Sequence, residues 1–569
     1  MLLMRNANVP NIGAFDILVS PKGSDSTGTG KLNNPYKTIQ KGLNMASAGK
    51  TVFAFPGLYP ENLTIPTSGS SGNPLTVKGS RGANTVDYLT VIDASTDAST
   101  GWVEDTGVGA GVYKKSLGFE PGEMAVGGKR IGKLRNDIMG VGGDGWTYLA
   151  LSPTAEVDVL DTSLKVVFWD GIEAICAYDS ASGYSYIRFR NRDNPNSMPV
   201  TVATTGSGIY MDDKSYITIQ DLQIQQNEYQ IQMRDLSHNN IIEDNLLIGG
   251  RARIYTFGGL NNLVIRRNEM TMNYYAGDEY LGAGGFANYT LLVKRHVYDT
   301  FKYLFGPNLS DDMGFYFRNI GQNISVHDNY IHGGLIGLTG YNGDYGYSSP
   351  ANGVYFYNNF IHNMGSLGIT SSRNVQNMEI YNNLIFDANL CIRMHELNRS
   401  DEYARSVRIY SNVAWNPADA GVLVYLHFPY AALASYFPTY HIYNNIFVNG
   451  HDGFNAGDYA SSSGGLPNTH IFNNFILTIS PMLSAFRQVI IGNKIALIDS
   501  NAIGNTTYTG LGDSFGANNE YFLNSTYGYL NYTSLENFLA NFNRASYNVT
   551  WLDRATVYPT LPFSETTWL

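Results

Sequence analysis

Along most of the chain, apolar positions recur at every second residue in short runs that stop at a polar turn, as in VYFYNN and GVLVYL. That period belongs to strands, whose successive side chains face opposite ways, and not to helices, whose apolar stripe recurs every three or four residues. The runs also repeat. An apolar residue, a few alternating positions, Asn, one residue and a further apolar residue recur as IIEDNLLI, VIRRNEM, SVHDNYI, YFYNNFI, EIYNNLI, RIYSNVA, HIYNNIF and IFNNFI. The aligned asparagines are Asn245, Asn268, Asn329, Asn359, Asn383, Asn412, Asn445 and Asn474. Their gaps of 23, 61, 30, 24, 29, 33 and 29 residues share a minimum near 23, one short-strand coil with loops added on some coils. Such a unit is too short for a strand-helix-strand crossover of about 30 residues or more. The pattern predicts a parallel β-helix, each coil about 4.8 Å above the last. Equivalent Asn amides then stack coil on coil, donor to acceptor, and the Tyr-Asn-Asn triplet is architectural.

The same patterning divides the chain. Residues 1–80 read as an N-terminal cap and first coils. Within them NNPYKTIQKGLNMASAGKTVFAFPGLY starts a helix at Asn-Pro, carries Ile39, Leu43 and Ala46 on one face and stops at Gly49 before a strand. Residues 81–210 lack the Asn pattern and hold Gly-rich alternating segments such as EMAVGGKRIGKLR, a β-rich elaboration. Residues 211–500 carry the ladder and long loops. Residues 501–569 form a C-terminal cap or tail in which NYTSLENFLANFN is a second helical patch. Capped ends are expected because open coil ends pair with other chains.

Composition narrows the partners. Of 569 residues, 43% are hydrophobic and only 15% charged, so a large core can form under a weakly charged surface. The net charge of −11 argues against nucleic acid, which is bound by basic surfaces. Nowhere do about 18 apolar residues run together, so no membrane span is expected. The opening MLLMRNANVP is too short and too soon polar for a signal peptide. Either a leader has been removed or the protein leaves its cell by another route, such as inside a virus particle. Cys176 and Cys391 lie several coils apart, beyond the roughly 7 Å that a disulfide spans, so two free thiols are expected.

The stretch FDILVSPKGSDSTGTGKLNNPYKTIQKGLNMASAGKTVFAFPGLYPENLTI resembles the N-terminal cap of the pectate-lyase-like right-handed parallel β-helix superfamily, in which V-S-x-x-G-x-D precedes P-x-K-T-I-Q and P-G-x-Y. SGIYMDDKSYITIQDLQI and the terminal TSLENFLANF are similar to segments of the same families. The resemblance implies an all-β, right-handed solenoid. It raises the expectation of carbohydrate as ligand without choosing among lyase, hydrolase, epimerase and phage tailspike. It leaves a monomer or a homotrimer open and points to an extracellular or virion-associated setting. Calcium is the one cofactor it brings into question, because some similar lyases use one.

Strand parity locates the chemistry. In QIQMR, GFYFR, IGLTGY, LGITS, CIRMH and GVLVYLH, residues such as Ile231, Met233, Phe315, Phe317, Ile392 and Met394 share the inward phase. Gln232, Arg234, Tyr316, Arg318, Thr339, Tyr341, Thr370, Arg393, His395 and Tyr425 then form a single exposed wall. Loops from 273, 341, 427 and 451 rise beside it with Tyr, Phe, Gly and carboxylates including Asp344 and Asp452. Aromatic faces and carboxylates suit an oligosaccharide. A lyase acting on a uronic acid must neutralise the carboxylate, take the adjacent proton and protonate the leaving oxygen. The catalytic candidates are Arg393, His395, Tyr341 and Arg318, with Tyr316, Tyr425, Asp344 and Asp452 as substrate-binding groups. Each has the plain alternative of an ordinary solvated side chain. A hydrolase instead needs two carboxylates about 5 Å apart if retaining, or roughly 6.5 to 9.5 Å if inverting. Asp311, Asp312, Asp344, Glu396 and Asp452 are candidates for that role. No set of residues specifies a metal site. The expected function is a polysaccharide depolymerase, with a glycan-binding adhesin or structural spike as the alternative.

Overall fold

The computed structural model describes residues 15–82, 87–133, 174–179, 181–189, 191–271, 313–318, 321–334, 336–341, 351–372, 375–395, 406–415, 422–427, 439–456, 468–472, 474–480, 488–491, 494–497, 515–517 and 520–522. Its backbone is a parallel β-helix. One sheet stacks fourteen strands, from Ile17–Val19 through Ile217–Gln220, Ile241–Glu243 and Leu263–Arg266 to Phe515–Ala517. Every pairing in it is parallel, for example Ile242 with Ile265 and Ile380 with Ile409. Parallel pairing continues past residue 500, where Lys494–Leu497 pairs with Glu520–Phe522.

Each early coil holds three strands, where the sequence pattern predicts two. The first-stack strand leads through the Asn turn into a three-residue strand, such as Leu246–Ile248 or Glu269–Thr271, and then into a longer third strand, such as Ala252–Phe257. The short strands escape notice because each has one inward residue, Ile224, Leu247, Met270 or Ile331, and so no alternation to read. In Phe360–Ser372, Leu384–His395 and Ile446–Ala456 the second and third strands run together, while Val413–Trp415 and Val422–His427 are again separate. All inward positions meet in one apolar core along the axis, built from Ile219, Ile242, Ile265, Phe315, Phe317, Phe356, Ile380, Ile392 and others. Each fully buried side chain of this kind contributes about 1.5 to 3 kcal/mol.

The Asn ladder is continuous. Asn245, Asn268, Asn329, Asn359, Asn383, Asn412, Asn445 and Asn474 are all buried. Each amide nitrogen from Asn245 to Asn445 donates to the next amide oxygen at 2.9 to 3.1 Å. The same oxygen accepts the preceding rung's backbone N–H, as from Asn383 to Asn412 at 3.0 Å. The residue before each rung from Asn245 to Asn445, Asp244, Arg267, Asp328, Asn358, Asn382, Ser411 or Asn444, has φ between 53° and 58°. Asn and Asp tolerate that left-handed conformation better than other residues with side chains, which is why the first Asn of Tyr-Asn-Asn is there.

The helix spans Ile39–Asn44 and is capped by Thr38, whose side chain accepts from Lys41 N. It therefore starts later than Asn34-Pro35. Ile39 and Leu43 are fully buried, and Glu61 accepts from the Ile39 and Gln40 N–H groups at its first turn. At Gly42 an added Cβ would lie 2.7 Å from Val19 and 2.9 Å from Val52, so the close seating of helix on strands requires glycine. The second helical patch lies outside the described residues.

Between Thr90–Asp93 and Ser207–Asp212 the chain leaves the coil to form a four-stranded antiparallel sheet and a five-stranded, mainly antiparallel one. They enclose a separate core of Trp102, Met124, Cys176, Ile187, Phe189 and Val202. Polar contacts tie this unit to the coil: Arg130 donates to Gly250 O at 2.7 Å, and Gly250 N donates to Glu123. Cys176 and Cys391 are both buried free thiols. Among the described residues no helix is long and apolar enough to cross a membrane.

Candidate functional site

The third strands stack in parallel register, which fixes what lies beside what. Tyr255 is opposite Tyr316, Tyr316 opposite Thr339, Thr339 opposite Thr370, Thr370 opposite Arg393, and Arg393 opposite Tyr425. Two residues further along the same strands, Asp212, Arg234, Phe257, Arg318, Tyr341, Ser372, His395 and His427 follow one another. The positions between these columns turn inward, where Met211, Met233, Phe317 and Met394 are buried. The wall is thus a pair of columns instead of a single one. Its middle is also less open than parity suggests, because Thr339 and Thr370 are 5% and 7% exposed.

Register brings the catalytic candidates together in a defined order. Arg318 and Tyr341 are neighbours on successive coils, Ser372 follows, and His395 comes next. Tyr341 therefore shares the His395 column, two coils away, while Arg393 has Tyr425 as its direct neighbour. At about 3.3 Å per residue, Arg393 and His395 lie roughly 7 Å apart along one strand. Among the substrate-binding candidates, Tyr316 and Tyr425 fall in the Arg393 column. Tyr316 has its ring 5.4 Å from Tyr255, which stacks on Tyr229 at 4.6 Å. Asp452 pairs with Val422 and stands outside both columns. Asp344 lies outside the described residues, as do Asp311, Asp312, Glu396 and most of the four loops.

Sequence reading misses a polar group at the lower end of the second column. Asp212 accepts from the Tyr210 hydroxyl at 3.0 Å, and the Arg234 guanidinium sits 5.5 Å from the Phe257 ring. Burial, then a hydrogen bond and the charge of Asp212 one coil below, push the Asp235 carboxyl up. Asp235 follows Arg234, the register partner of Asp212 on the next coil, so the approach is diagonal and leaves no repeat to read. A further cluster lies on the short strands. His332 Nε2 is 3.0 Å from Glu269 Oε1, and His362 Nε2 is 2.9 Å from the Tyr330 hydroxyl. Among the described residues no three His, Cys, Asp or Glu side chains converge to hold a metal ion.

No protein-family model matches the chain. Over 75 residues it is 37% identical to an uncharacterized protein, YwoF, of Bacillus subtilis, covering 13% of this chain and 16% of that protein. Over 79 residues it is 33% identical to the pectate lyase PEL9 of Emericella nidulans, covering 14% and 19%. The chain thus matches less than a fifth of the length of these curated relatives. Among solved structures, XylC in complex with xylose is similar with a TM-score of 0.45 and 16% identity, over 84% of this chain and 75% of that one. A GH136 lacto-N-biosidase from Eubacterium ramulus has a TM-score of 0.42 and 11% identity, over 89% and 67%. An alginate lyase from Paenibacillus sp. str. FPU-7 has 0.35 and 10%, over 76% and 95%. The stacked parallel strands make this chain a parallel β-helix, and the solved structures similar to it include polysaccharide lyases and glycoside hydrolases.

Proposed function

We propose that this protein is a carbohydrate-active, right-handed β-helix that cleaves a polysaccharide, as a lyase on an acidic chain or as a glycoside hydrolase, outside the cell or on a virion. The observation that carries the reading is the register of the third strands, which sets Arg318, Tyr341 and His395 in one column beside Arg393 and Tyr425 in the next. A cation, an imidazole and phenols at coil spacing suit an acidic sugar. In this scheme Arg393 neutralises the uronate carboxylate, which acidifies the adjacent C–H. His395 or Tyr341 takes that proton, the C–O bond to the leaving sugar breaks as a C=C bond forms, and a protonated neighbour supplies the leaving oxygen with hydrogen. Arg318 adds positive charge along the same column.

The test is a panel of acidic and neutral polysaccharides with product mass spectrometry. Unsaturated ends support elimination, and products that have gained water support the hydrolase. A polymer that is bound and left intact favours an adhesin and overturns the enzymatic reading.

A further inference from the structure

The outer face of the first stack presents a second ordered surface, distinct from the wall. Its outermost register position is filled by Lys78, Gln220, Glu243 and Arg266 on the early coils, the last three just before a left-handed residue. From there on it is His327, Tyr357, Tyr381, Tyr410 and Tyr443. The early residues form ion pairs, such as Arg266 with Glu243 at 2.7 Å. The later ones form an aromatic pile, with ring spacings of 4.5, 4.8, 4.9 and 5.0 Å and interplanar angles of 6° or less. Because the ring faces cover one another, the pile offers a partner its edges and phenol hydroxyls. Beside it Glu379 accepts from Tyr410 and from Arg408, whose side chain is 53% exposed.

Three features select the partner. The pile runs along the coil axis and repeats at the coil rise. An extended polysaccharide advances by a comparable length per sugar unit, so one polymer chain can meet successive phenols with successive sugars. Burial pushes the Tyr381 hydroxyl up to about 12, which keeps it a donor at any physiological pH. The wall changes character along the axis, from tyrosines through threonines to Arg393 in one column, whereas this face repeats one group over four coils and suits a repeating polymer.

We propose that the face along Tyr357, Tyr381, Tyr410 and Tyr443 is a second binding surface for an extended polysaccharide chain lying parallel to the coil axis. The proposal rests on the carbohydrate reading of the protein. The face holds polymer near the wall without taking part in cleavage.

The test is depletion of the full-length protein from solution by insoluble cellulose, insoluble xylan and calcium-gelled polygalacturonate. The triple variant Tyr357→Phe, Tyr381→Phe, Tyr443→Phe keeps the rings and leaves the Tyr410 bond to Glu379 intact. Retention on the best probe is expected to fall by about a hundredfold, since each of the three hydroxyl bonds is worth about 1 kcal/mol, or about fivefold. Turnover or binding of soluble oligosaccharides at the wall should not change. Equal retention of variant and parent overturns the second surface and leaves the wall reading standing. Failure of every probe to retain the parent overturns the second surface, and the product panel decides the wall reading separately. Should the triple variant not fold, Tyr381→Phe alone is expected to weaken retention by about fivefold, and an unchanged value overturns the proposal.

Discussion

Asn383 occupies the middle of the ladder. Its oxygen accepts from both nitrogens of Asn359, and its amide donates to Asn412 and to Phe356 O. Asn383→Ala strands the buried Asn359 N–H and removes a donor from Phe356 O, at about 1 to 3 kcal/mol for each buried group left unpaired. A loss of about 2 to 4 kcal/mol in denaturant unfolding is expected. The adjacent Asn382→Gly should stay within about 1 kcal/mol of the parent, because φ is 53° there and glycine adopts that conformation freely. A ladder variant as stable as the turn variant would contradict the role given to the rungs. On the wall, Arg393→Ala and His395→Ala should each lower turnover by about a hundredfold or more with stability changed by about 1 kcal/mol or less. Full activity in both would move the chemistry to carboxylates. The ladder is legible in the sequence because Asn recurs against apolar neighbours at a near-constant interval. Asp212 and Asp235 are not, because a contact between coils leaves no local motif. The Tyr of Tyr-Asn-Asn is visible as a repeat, but its ring stacking depends on register that the irregular loop lengths hide.

At the scale of elements, strand existence follows from alternation, while the three-residue strands and the tie between insertion and coil do not. That tie is polar. Burial pushes the Glu123 carboxyl from 4.5 to about 7, against the pull of Arg130 and Arg253. The folded protein therefore holds this proton more tightly than the unfolded chain does. The stability it contributes is complete below pH 4.5 and is lost as pH rises through about 7. Glu123→Gln keeps an acceptor for Gly250 N without the titration, so its melting temperature should lack that decline between pH 5 and 8. Parallel slopes in the two proteins would place the titration elsewhere. The N-terminal elements make a different prediction. Removing residues 1–50 takes away Ile17–Val19 and the helix, baring the edge of Thr51–Ala54 and its apolar Val52 and Phe53. Unpaired edges recruit other chains, so the truncated protein should run as large species in size-exclusion chromatography. A monodisperse truncation would count against a capping role for this segment.

For the molecule as a whole, one coil geometry repeated along an axis yields surfaces of different character from the same backbone. The wall draws on heterogeneous outward positions of the third strands, and the aromatic pile on homogeneous positions of the first. Variation between coils costs little, because inward residues carry the core and rungs carry the turns. The rungs also bear on how the protein ages. Asparagine deamidates when the backbone nitrogen of the next residue attacks the side-chain carbonyl, and it is among the residues that limit life at high temperature. In the ladder that nitrogen is already committed: Leu384 N donates to Asn359 O, Val413 N to Asn383 O and Ile446 N to Asn412 O, each at 2.9 Å. Three other asparagines, Asn342, Asn352 and Asn449, are followed by glycine, the neighbour that hinders this attack least. After weeks at warm, mildly alkaline pH, peptide mapping should find the first isoaspartate at one of these three Asn-Gly pairs with every rung still an amide, so that the buried ladder outlasts them.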